Sequence, residues 1–159
     1  MKARDLKDKP VVSMADSAQV GTVDDVLFDP SELRIVGLAL RGQSGQSILP
    51  FGSIRSIGSD AVMVESAAET QGAAGQAMRE TMRGLEDLTS LSVVNGDGTL
   101  LGKVKDLEVD QDGRLAHLET HRGGVLGIGG TSLEVPPSAI RNIGPKLITV
   151  DMPAEPSEK

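Results

Sequence analysis

The chain repeats itself, and the repeat decides what it can fold into. Residues 49–64 read LPFGSIRSIGSDAVMV and residues 135–150 read VPPSAIRNIGPKLITV. Pro50 aligns with Pro136, Ile54-Arg55 with Ile140-Arg141, Ile57-Gly58 with Ile143-Gly144 and Val64 with Val150, without a gap. Upstream, VGTVDDVLFD at 20–29 matches LGKVKDLEVD at 101–110. Self-similarity over this length marks two copies of one structural unit. Each copy spans about 65 residues, small but able to build a core. The expected division is a first unit at 1–66, a linker at 67–83, a second unit at 84–152 and a disordered, proline-rich tail at 153–159.

Composition narrows the chemistry. Phe28 and Phe51 are the only aromatic residues, so Val, Ile, Leu and Met must fill both cores. The absence of Cys excludes disulfides, thiolate metal sites and cysteine nucleophiles. A net charge of −7 opposes phosphate neutralisation, so direct nucleic-acid binding is not expected. No apolar run approaches the roughly 20 residues of a membrane-spanning helix. The opening MKARDLKDKP is not followed by the apolar stretch of a secretory signal. A cytoplasmic location is expected.

Both units read as β. Short runs rich in branched residues, at 11–12, 20–28, 34–40, 47–50 and 61–64, alternate with the turn-forming stretches MADS, DPSE, RGQSGQ and GSD. In the second unit the breaks are NGDG at 95–98, QDG at 111–113 and the glycine-rich stretch 123–130. Asn95-Gly96 and Asp112-Gly113 favour the left-handed backbone of tight hairpins. Short strands at this spacing indicate two small antiparallel barrels. One helical turn is expected after each of Pro50 and Pro136. In the linker, Met78, Met82 and Leu85 fall near helical spacing, which fits either a short helix or methionines packing on the second barrel.

The hairpin pattern G-x-V-x-D, seen as Gly21-Thr-Val23-Asp-Asp25 and Gly102-Lys-Val104-Lys-Asp106, resembles the PRC-barrel family. So does the closing pattern of an apolar residue, Pro, Phe, an Ile three residues on, then Ile-Gly and a last strand. The second unit departs from it with Pro136-Pro137. The resemblance implies a fold of two tandem PRC-type barrels and a role in docking or assembly. Characterised members include the cytoplasmic domain of a photosynthetic reaction-centre subunit, a domain of a ribosome maturation factor and a cell-division adaptor.

Individual residues carry further expectations. Gly21 and Gly102 sit inside strand-like runs and mark a close backbone approach. Pro50 and Pro136 belong where no ladder donor is needed. Asp25 and Asp106 are poorly suited to strand interiors and should accept backbone hydrogen bonds at a bulge or neighbouring turn. Ile54, Ile57, Ile140 and Ile143 should be buried. Glu108, Asp110, Asp112 and Glu119 come close to a calcium-loop series, but the first position is Glu and the flanks alternate as strands. A solvated hairpin edge accounts for them as well.

His117 and His121 lack a third ligand and read as surface histidines. The glycines at 123–130 form neither a Walker loop nor a dinucleotide fingerprint, and a hairpin tip is expected there. No catalytic, cofactor-binding or metal-binding residue is assigned. The reading is a non-catalytic cytoplasmic adaptor with a protein partner, and small aliphatic cores favour a homodimer. A ribosome-associated factor and a photosynthetic assembly protein are the alternatives the resemblance raises.

Overall fold

Valine, leucine and phenylalanine packed at 20–28 are strand formers, and they build the longest strand of the first unit. The structure, a computed structural model, describes residues 1–42, 45–70, 75–125 and 128–153. The first unit holds β1 (Pro10–Ser13), β2 (Gln19–Asp29), β3 (Arg34–Gly42), β4 (Gly45–Pro50), β5 (Ser56–Ile57) and β6 (Val62–Val64). After it come α1 (Gln76–Thr81), β7 (Arg83–Gly84) and α2 (Leu85–Leu88). The second unit holds β8 (Ser92–Asn95), β9 (Leu100–Val109), β10 (Leu115–Val125), β11 (Ile128–Val135), β12 (Ile140–Ile143) and β13 (Leu147–Val150).

The two units have the same topology, strand for strand. The first sheet runs β4-β3-β2-β1-β6-β5 and the second β11-β10-β9-β8-β13-β12. Neighbours pair antiparallel, except that β1–β6 and β8–β13 are parallel. The all-β tandem fold is therefore as the sequence implies, with two refinements. One pair in each unit is parallel, and among the described residues neither strand path closes end to end. The helical turns after the recurrent prolines are present as single 3₁₀ turns, Phe51–Ser53 and Pro137–Ala139.

Equivalent bulges bend the long strands. β2 skips Asp24 between the Val23 and Asp25 pairings, and β9 skips Lys105 between Val104 and Asp106. Upstream of the second bulge, Gly102 has a φ of 135° and lies against the His121 carbonyl, which a Cβ would strike at 2.7 Å. Only glycine fits there.

The units exchange their leading segments. Arg83-Gly84, where the linker runs into the second unit, pair antiparallel with Phe28 and Leu27 of β2. Reciprocally, Lys2 bridges Glu108 of β9, and the Val109 amide donates to the Met1 carbonyl at 2.8 Å. At the centre Arg34 bridges Arg114, flanked by Ile35 N to Gly113 O at 2.8 Å and Leu115 N to Leu33 O at 2.9 Å. Leu33 and Gly113 both take positive φ, 57° and 83°. These matched pairs relate the units by an approximate two-fold axis, as in an isologous dimer. The buried apolar residues accordingly form one large cluster drawn from both units, with Ala3, Leu6, Leu85 and Leu88 inside it.

The linker takes the first of the two forms open to it, and the isoleucines depart from expectation. α1 forms, but Met78 and Met82 pack on Leu27, Ala39 and Ile48 of the first sheet, not on the second unit. Gly37 makes room for Met78, whose sulfur would lie 3.0 Å from a Cβ there. Within the linker Met78, Arg79 and Arg83 are half-buried, whereas Ala77, Glu80 and Thr81 are exposed. Ile54, Ile57, Ile140 and Ile143 are also half-buried, because they belong to edge segments that lap over the core rather than enter it. Residues 71–74 of the linker and 154–159 of the tail lie outside the described residues.

Candidate functional site

Asp25 and Asp106 tie the units together. The Asp25 carboxylate accepts from the Val26 amide at 2.8 Å and, across the unit boundary, from the Glu86 amide at 3.3 Å. The Asp106 carboxylate accepts from Leu107 N at 2.8 Å and from Arg4 N at 3.0 Å. Each thus holds the first helical turn of the other unit, beside a bulge, as an Asp in a strand interior should. Burial raises both carboxyl groups above their ordinary value, partly offset by these amide donors.

The acidic series does not converge on one point. The Met1 amino group rests on Glu108, and Lys2 reaches Glu119 at 3.4 Å. Asp110 is turned onto its own hairpin, accepting from Asp112 N at 2.9 Å and Arg114 N at 3.0 Å. His117 lies 3.6 Å from Glu134 and His121 3.4 Å from the Ser132 hydroxyl, so the two histidines have separate neighbours. Strands β10 and β11 pair up to Val125 and Ile128, while the tip at 126–127 lies outside the described residues.

Two clefts mark where the units meet. The first, about 690 Å³, is lined by Arg4, Lys7, Asp8, Glu86, Lys103, Lys105 and His121, among others. Lys7 pairs with Glu86, and Lys103 and Lys105 have no carboxylate partner among the described residues. Four cations against two carboxylates make this a basic cleft on an acidic chain. Its two-fold counterpart differs. There Thr22, Asp24 and Arg41 take the places of Lys103, Lys105 and His121, and Arg41 is held by Asp8 at 3.0 Å and Asp24 at 3.1 Å.

The second cleft, about 980 Å³, contains Arg34, Arg55 and Arg114 with Phe51, Ile54 and Ile57. Arg55, Asp110 and Asp112 belong to patterns visible in the linear sequence, whereas Lys103, Lys105, Arg34 and Arg114 do not stand out there. The available signal was the difference between the repeats, since Lys105 stands where the first unit has Asp24.

Comparison with known families agrees with this architecture. The PRC-barrel domain matches the chain twice, over residues 1–71 and 80–155. No curated protein is similar enough to the chain to count as a match.

Proposed function

Since the chain belongs to the PRC-barrel family and carries its domain twice, we propose that it is a non-catalytic cytoplasmic adaptor that docks an acidic segment of a partner protein. Domains of this family serve generally as protein-interaction modules. No helix among the described residues is long and apolar enough to cross a membrane. The observation that carries the reading is the basic cleft. Among the described residues Lys103 and Lys105 stand unpaired on a bulged strand, whereas the equivalent positions of the first unit hold the uncharged Thr22 and an Asp24 already paired with Arg41. Unpaired lysines on a rigid strand attract an acidic chain and set its orientation, while rim charge acts mainly on the association rate.

The expected units are 1–66 and 84–152, joined by the linker, and self-association into a homodimer is part of the proposal. A photo-crosslinking residue at Lys105 should capture one partner protein in native cells, and Lys103→Glu with Lys105→Glu should abolish that capture without lowering the melting temperature. Crosslinks to RNA, or protein capture indifferent to the charge reversal, would overturn it. Light scattering tests the dimer, since an unchanging monomer mass excludes it.

A further inference from the structure

Arg34 and Arg114 face each other across the two-fold axis. They form a bridge whose flanking residues, not the arginines themselves, exchange the hydrogen bonds. Side chains of such a pair project from one face and approach more closely than those of a hydrogen-bonded pair, with Cβ atoms about 4.5–5.5 Å apart. Two like charges so placed repel. Neither guanidinium is paired with a carboxylate among the described residues. Two acids also line the second cleft, Asp112 and Asp110, and the Asp110 carboxylate is committed to its own turn.

Moreover, the Arg34 Nε is buried and has no hydrogen-bond partner. A charged donor removed from water without an acceptor is costly, and Arg34 is one of the residues that line a cleft of about 980 Å³. That volume is at the upper end of small-molecule sites, about 300–1,000 Å³. Arg55, paired with Glu65, stands on the rim, and Phe51, Ile54 and Ile57 provide an apolar wall.

We propose that this cleft binds a small organic phosphate monoester, its phosphate between Arg34 and Arg114 and its apolar body against Phe51. A guanidinium fork matches phosphate oxygens two at a time, and a dianion neutralises two guanidiniums where a carboxylate neutralises one. The site lies apart from the basic cleft, so it stands or falls independently of the docking reading.

Calorimetric titration of the full chain with phenyl phosphate tests it. Saturable one-to-one binding is expected, together with a rise in melting temperature that benzyl alcohol does not produce. Arg34→Gln and Arg114→Gln should each weaken binding by about tenfold or more. Without ligand, Arg114→Gln should melt no lower than the parent, because the repulsion is relieved. If Arg34→Gln fails to fold, the Arg114→Gln and Arg55→Gln titrations still decide. Absence of saturable binding at millimolar phenyl phosphate would overturn the proposal. So would binding that Arg114→Gln leaves unchanged, tighter binding of benzoate, or a lower melting temperature of unliganded Arg114→Gln.

Discussion

The outer faces of the two sheets are built from equivalent positions and serve opposite ends. On the first sheet Leu27, Gly37, Ala39 and Ile48 make an apolar patch, and α1 covers it with Met78 and Met82. On the second sheet the same places hold Glu108, His117, Glu119 and Glu134, a polar face with no helix over it among the described residues. The backbone register is shared, so the difference lies in side chains alone. A sheet accepts either a cover or a solvated face on its second side, and residue choice at alternate positions selects between them. Two members of the acidic series that resembles a calcium loop are explained in this way. Glu108 and Glu119 are the polar replacements for Leu27 and Ala39.

Exchanging residues between the faces tests that comparison most strongly. Ile48→Glu places a charge beneath α1 and should cost about 3–4 kcal/mol, whereas the reciprocal Glu134→Ile, at an exposed position, should change stability by no more than about 0.5 kcal/mol. Urea denaturation of both variants gives the answer, and equal effects would show that α1 does not cover the first face.

A smaller effect is expected where the units agree. Asp25→Ala and Asp106→Ala each leave amides of both units without an acceptor, at about 1–3 kcal/mol, with Asp106 the costlier because it is the more buried. Because each carboxylate joins the units, fluorescence probes placed in either one should report a single shared transition. Two separate transitions would make the units independent.

The smallest effect is on pH dependence. Burial raises Asp25 and Asp106, so the folded chain holds their protons more tightly than the unfolded one. Their contribution to stability therefore falls as pH rises from the ordinary 3.8 through the raised values. Glu108 behaves oppositely, since hydrogen bonding to the Met1 amino group lowers it. Its contribution is present above 4.5 and is lost as pH falls through the lowered value. Denaturation midpoints between about pH 3 and 6 should lose the first trend in the Asp25→Asn, Asp106→Asn double variant and the second in Glu108→Gln.

Much of the fold was legible because the repeat and the turn residues carry it. Gly102, Asp25 and Asp106 each announced a local need that the structure meets. What stayed hidden is long-range. Nothing in MKARDL says that it lies on residues 108 and 109, since pairing across so many residues depends on tertiary geometry rather than local pattern. The clefts were unreadable for the same reason. Arg34 and Arg114 become neighbours only through the two-fold arrangement. The half-burial of the recurrent isoleucines was also missed, because regular spacing shows which face a residue takes but not how deeply an edge segment sits.

The exchanged leading segments also bear on concentration. A lone unit would have to meet a second copy in solution before its leading strand and helical turn could find their places. Tethering by fewer than twenty residues turns that encounter into one within a single chain, equivalent to partners held at about millimolar concentration. The pairing therefore survives at any dilution and needs no regulation of abundance. The chain presents each of its two unlike clefts once, whereas a symmetric pair of identical subunits would present every off-axis cleft twice.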